Sequence, residues 1–110
     1  MTHPFPSFIA SLPEVDVPVE GALGRLFQGE AGQAVFFELQ PGTVIPEHSH
    51  GAQWGVVLEG EIELTVSGQA RRCRRGDSYA IPAGASHSAR CPGGARVLDF
   101  FADRDRYRPR

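Results

Sequence analysis

Glycine and proline interrupt this chain so often that no long helix fits between them. The pairs Pro41-Gly42, Glu59-Gly60, Ser67-Gly68, Gly76-Asp77, Ala83-Gly84 and Gly93-Gly94 cut it into short runs. Among these are "QAVFFEL", "QWGVVL", "EIELTV", "RRCRR", "SYAI", "SHSAR" and "RVLDFFA". Several alternate with period two. In "EIELTV", Ile62, Leu64 and Val66 fall on one face and Glu61, Glu63 and Thr65 on the other, which suits a strand with one buried and one wet face. Turn signals at this spacing predict an all-β fold, a sandwich or barrel of short strands.

A chain of 110 residues, 41% of them apolar, has room for one domain that buries about 65% of its unfolded surface. Residues 1–20 contain Pro4, Pro6, Pro13 and Pro18 and are expected to form an extended arm without helix. Residues 21–102 are expected to form the barrel, and residues 103–110 a charged, solvated tail or surface turn. The start of the chain has no basic segment followed by an apolar run, and no stretch reads as a membrane span. Cys73 and Cys91 are too few for a disulfide framework, so free thiols in a cytoplasmic protein are expected.

Thirteen acids against eleven bases give a formal charge of -2, which implies no general attraction to nucleic acid or anionic lipid. Every base is an arginine, and the absence of lysine excludes Schiff-base chemistry. The four arginines of "RRCRR" have no aromatic residues between them and acids nearby, so a solvated strand is expected there, with Cys73 as its one inward residue.

Three of the four histidines fall in two segments. "PEHSHGAQWG" places His48 and His50 one residue apart, and "GDSYAIPAGASHSARC" supplies His87 after a Pro82-x-Gly84 turn. In a strand, residues i and i+2 share a face about 6.6 to 6.8 Å apart, so two imidazoles can lean onto one ion while Ser49 points away. Alone, such a pair is equally a surface accident or two hydrogen-bonded rings; the third histidine favours a metal site. His3, in the proline-rich arm, is expected to take no part.

The spacing resembles the two-part signature of the cupins. Gly42, five residues, His48, one, His50, two, Gln53, six and Gly60 match the first part; Gly76, five, Pro82, one, Gly84, two and His87 match the second. The resemblance implies a small single-domain cupin of the cupin 2 type: an antiparallel jelly-roll barrel, usually dimeric, with a metal held by His48, His50, His87 and the residue at the acidic position. Counted back from Gly60, that residue is Gln53. The gap after His50 is shorter than usual, and Cys91 stands where the second part normally ends in asparagine.

A glutamine ligand would leave the ion's double charge uncompensated, so an anionic or enolisable small substrate is expected at the open positions. Imidazole ligands suit zinc, nickel, copper, iron or manganese, with copper, nickel and zinc bound more tightly than iron and manganese. The other role open to Gln53 is a hydrogen bond that orients a histidine. Alternation from Gln53 turns Gly55 and Val57 inward and Trp54, Val56 and Leu58 outward, so Trp54 is expected to meet another layer or a dimer partner. Val57 and Cys91 are expected to line the pocket. Cys91 lies about 13 Å along the strand from His87, too far to share its ion.

These expectations define a metal-binding cupin acting as a dioxygenase or isomerase. The alternatives are a non-catalytic small-molecule-binding or sensing module with a structural metal, and a barrel with no metal. Glu47 alternates outward and no other carboxylate stands near the histidines in sequence, so no general base is evident and catalytic residues are not assigned.

Overall fold

The computed structural model describes residues 5–110; His3 lies outside them. One helical turn, α1 (Ser7–Ala10), precedes eight strands: β1 (Ala22–Gly29), β2 (Gly32–Leu39), β3 (Thr43–His48), β4 (Gln53–Val66), β5 (Gln69–Arg74), β6 (Ser78–Ile81), β7 (His87–Cys91) and β8 (Ala95–Phe101). All named pairings are antiparallel. β1, β2, β8, the first half of β4 and β6 form one sheet; β3, β7, the second half of β4 and β5 form the other. The result is the antiparallel jelly-roll barrel of an all-β fold.

The Glu59-Gly60 pair does not separate two strands, as its turn chemistry suggests. It bends one strand of 14 residues, β4, which runs through both sheets. The register against β8 shifts between Val57 and Glu59, and Gly60 has φ +75. A β-carbon at Gly60 would overlap the Gly94 carbonyl oxygen, so the close approach needs glycine. The irregularity also resets which residues face inward. Gly55 and Val57 are buried before it, Ile62 and Leu64 after it.

Inward side chains from both sheets fill one core: Leu26, Val35, Phe37, Leu39, Val57, Ile62, Leu64, Ile81, Val97 and Phe101 are all buried. Each such large side chain contributes about 1.5 to 3 kcal/mol on leaving water. Cys73 is the only buried residue of β5, and its arginine neighbours are exposed, Arg72 pairing with Glu61 at 3.2 Å. Cys73 and Cys91 are both free and buried.

The arm and tail differ from expectation. Ser7–Ala10 is helical where proline spacing suggested extended chain, because Pro6 stands just before the turn, where it loses no helical hydrogen bond. Val15 is a core residue, bridged to Pro109. The C-terminal segment is charged but not simply solvated: Tyr107 packs edge-on against Phe37 and Phe101, and buried Gln33 grips its backbone from both sides. On the outer face Phe27, Ala34, Phe100 and Trp54 form a row in register, with Phe27, Phe100 and Trp54 exposed. No further layer covers Trp54 among the described residues. None of the described helices is long and apolar enough to cross a membrane.

Candidate metal centre

His48 closes β3 and pairs with His87 at the start of β7. His50 lies beyond β3, not on it, so the two meet across a strand end and a loop instead of along one strand. That loop is pinned. The Gly84 amide donates to the His50 carbonyl at 2.8 Å, the Gly51 amide donates to Asp103 at 2.9 Å, and the Ala102 amide donates to the Ala52 carbonyl at 2.9 Å. Ser49 is exposed, as alternation indicated.

The three rings converge, with centroids 4.3 to 5.2 Å apart. Each Nδ1 faces a backbone carbonyl: His48 that of Pro46 at 2.8 Å, His50 that of Gly51 at 2.8 Å, and His87 that of Ala85 at 2.9 Å. A carbonyl oxygen only accepts, so each Nδ1 carries the proton and a neutral ring keeps its lone pair on Nε2. The Nε2 atoms of His50 and His87 are buried without any partner. One ligand atom from each of the three rings lies within 4.8 Å of the others, an arrangement that could hold a metal ion.

Burial is the main reason the pKa values of His48 and His50 fall below the ordinary histidine value. Their carbonyl hydrogen bonds oppose it, and the nearby charges of Arg106 and the neighbouring imidazoles assist it. Both rings are therefore held neutral, the form that ligates.

Gln53 opens β4 beside the cluster, and its Oε1 is also buried without a partner. Behind it lies the carboxylate that sequence spacing did not reveal. Asp99, on β8, is buried and accepts a 2.6 Å hydrogen bond from the Tyr79 hydroxyl. Gly55 pairs with Asp99 on one side and Tyr79 on the other, and a β-carbon there would overlap both side chains. Burial raises the Asp99 pKa to about 6, opposed by hydrogen bonds from Tyr79 and Gln53. Burial also raises that of Tyr79. Asp99 was discoverable: Val97, Asp99 and Phe101 alternate inward along "RVLDFFA", so an acid occupied a core phase.

Beside these groups lies a cavity of about 260 Å³ whose apolar wall includes Phe37, Leu39, Ile62, Leu64 and Val97. Glu47, His48, Gln53, Tyr79, His87, Asp99, Arg106 and Tyr107 also reach it. Val57 and Cys91 do not. They face inward as expected but are packed into the core, 1% and 0% exposed, away from the cavity wall. Burial raises the Cys91 thiol to about 11, so it is an inert thiol.

The barrel brings three imidazoles together, two of them, His48 and His87, on the cavity wall, and this architecture is that of a known class of protein. A family model described as a cupin domain matches residues 35–101, and the chain belongs to that family. An RmlC-like cupin from Shewanella frigidimarina is 25% identical, with a TM-score of 0.77 over 96% of this chain and 94% of that one. Oxalate decarboxylase from Bacillus subtilis, a protein with Mn(II) centres, shares the fold at 23% identity, with a TM-score of 0.75 over 88% of this chain and 29% of that one. The HTH-type transcriptional regulator PuuR of Escherichia coli (strain K12) is 46% identical over 56 residues, 49% of this chain. The chain spans 30% of the length of that curated relative.

The protonation pattern is directly measurable. Between the lowered folded values and the unfolded value near 6.5, the unfolded chain binds more protons, so the stability contributed by His48 and His50 is lost as pH falls through that window. Asp99 has the opposite sign, its contribution weakening as pH rises from 3.8 through about 6. In metal-free protein, nitrogen-15 spectra should show His48 and His50 protonated at Nδ1 alone, with titration midpoints below about 6.5. Midpoints above that value would contradict the burial argument.

Proposed function

We propose that this chain is a metal-binding cupin in which His48, His50, His87 and the Gln53 carboxamide oxygen hold one divalent transition ion, and that it is a metal-dependent enzyme of dioxygenase or isomerase type. The observation that carries the reading is the set of unpartnered buried acceptors, His50 Nε2, His87 Nε2 and Gln53 Oε1, while every imidazole Nδ1 is engaged by a carbonyl. Such donor groups fit zinc, nickel, copper, iron or manganese. An ion bound there would polarise a substrate oxygen and acidify a bound water.

The chain's own groups do the rest. The carbonyl anchors fix ring orientation, the apolar wall limits water, and Asp99 can hold a proton at its carboxyl near pH 6. Asp99 also modifies the charge argument. With glutamine as ligand, the compensating carboxylate stands one side chain back, and a small anionic or enolisable substrate still suits the site. The two buried free thiols fit a reducing, cytoplasmic compartment. A second reading, a non-catalytic small-molecule-binding or sensing module, is favoured by the match of this barrel to part of a transcriptional regulator.

His48→Ala, His50→Ala and His87→Ala should each reduce metal per chain by at least about tenfold when measured by elemental analysis. Full occupancy in all three would refute the site. Metal-loaded protein that binds small acids yet never turns over any of them would support the sensing module instead.

Gln53→Glu places a second carboxylate against Asp99, where two buried like charges resist joint ionisation. The double variant Gln53→Glu with Asp99→Asn relieves this and should bind the ion about tenfold more tightly than Gln53→Glu alone. Equal affinities would place Gln53 away from the ion.

We also assign the row Phe27, Phe100 and Trp54 to a homodimer face, because these exposed apolar side chains lie in register across β1, β8 and β4. Light scattering should report a dimer for the native chain and a monomer for Trp54→Arg. A native monomer would discard the assignment.

A further inference from the structure

Arg106 is the one arginine among the described residues that lines the cavity. Arg25, Arg72, Arg90, Arg96 and Arg110 each have a carboxylate within 4.0 Å. Arg106 forms no such pair among the described residues, and its Nε is buried without a hydrogen-bond partner. A buried guanidinium N–H lacking an acceptor is an uncompensated cost that an anion would relieve.

The guanidinium is also held in place. Its carbon lies 4.6 Å from the Tyr107 ring centroid and 6.0 Å from that of Phe101. Those two rings pack edge to face at 5.4 Å, and Phe101 meets His50 at the same distance. Stacking on an aromatic face fixes the plane of the donor fork, which lowers the ordering cost when an anion binds. The charge of Arg106 is felt at His48 and His50, which places it beside the imidazole cluster. Two carboxyl groups share the cavity, and neither forms an ion pair with it among the described residues. Asp99 is hydrogen-bonded by Tyr79, and Glu47 is exposed.

We propose that Arg106 is the carboxylate-binding group of this cavity, and that the natural ligand is a small, partly apolar carboxylic acid. Its carboxylate meets the guanidinium while its apolar part lies along Phe37, Leu39, Ile62, Leu64 and Val97. The cavity, about 260 Å³, lies just under the roughly 300 to 1,000 Å³ of drug-sized sites, which suits a metabolite. This names the ligand class of the function proposed above and rests on that reading only for the ion, since the arginine's chemistry needs no metal.

The test uses benzoate and benzamide, which share a shape and differ in charge, titrated into chelator-treated, metal-free protein by calorimetry or saturation-transfer NMR. The native chain should prefer benzoate by about tenfold, Arg106→Gln should bring the ratio near one, and Arg106→Lys should retain part of it, having charge without the fork. No preference in the native chain, or an unchanged preference in Arg106→Gln, would overturn the proposal. If Arg106→Gln does not fold, phenylglyoxal labelling of the native chain decides, read by mass spectrometry. Benzoate should shield Arg106 and benzamide should not; equal shielding by both overturns it. Metal stoichiometry on reloaded samples separates the two readings. Lost ion binding with benzoate preference intact removes the metal site alone, and the reverse removes this inference alone.

Discussion

The whole interior is organised by one strand that has to serve two sheets. β4 pairs with β6 and β8 over its first half and with β5 and β7 over its second, and it can do so only because the chain bends at Glu59-Gly60. A straight strand would keep one set of residues inward throughout. The bend changes the phase, so Gln53, Gly55 and Val57 face the cavity end and core from one sheet, while Ile62 and Leu64 do so from the other. The Gln53 amide, the gap that admits the Tyr79–Asp99 hydrogen bond and part of the apolar wall are therefore positioned by one backbone irregularity.

Within that frame, electrostatics follows from burial. Two imidazoles are kept neutral against the pull of their carbonyl partners because desolvation is the larger effect. The same effect wins at Asp99, where two donated hydrogen bonds do not restore an ordinary carboxylate pKa. Burial thus pushes the bases and the acid toward their uncharged forms, and Arg106 remains the cavity's permanent charge. Arg106, which has no carboxylate paired to it among the described residues, offers that charge to an anion by direct contact.

Much of this was legible in the sequence. The all-β class followed from the glycine and proline breaks, and the two histidine segments with their flanking glycines were enough to indicate a cupin barrel. Alternation oriented Gly55, Val57, Cys73 and Cys91 inward correctly. It could not distinguish a core position from a cavity wall, which depends on packing between strands distant in sequence; Val57 and Cys91 fell on the wrong side of that distinction. Asp99 was readable from its phase within "RVLDFFA", but its nearness to Gln53 depends on the β4–β8 register. Arg106 gave no signal. "DRDRYRPR" has the composition of a solvated end, and only the docking of Tyr107 on Phe37 and Phe101 turns it into part of the cavity.

That docking gives an unexpected importance to Gln33. Its side-chain amide donates to the Tyr107 carbonyl at 2.8 Å and accepts from the Tyr107 amide at 2.9 Å. This is the paired exchange that one strand residue offers its neighbour, here supplied by a side chain. A buried glutamine on β2 therefore acts as a substitute rung of sheet for Tyr107, just before the stretch that pairs with residues 14–16. The consequence is a form of action at a distance: the placement of the cavity-lining Arg106 and Tyr107 depends on a residue absent from the cavity lining.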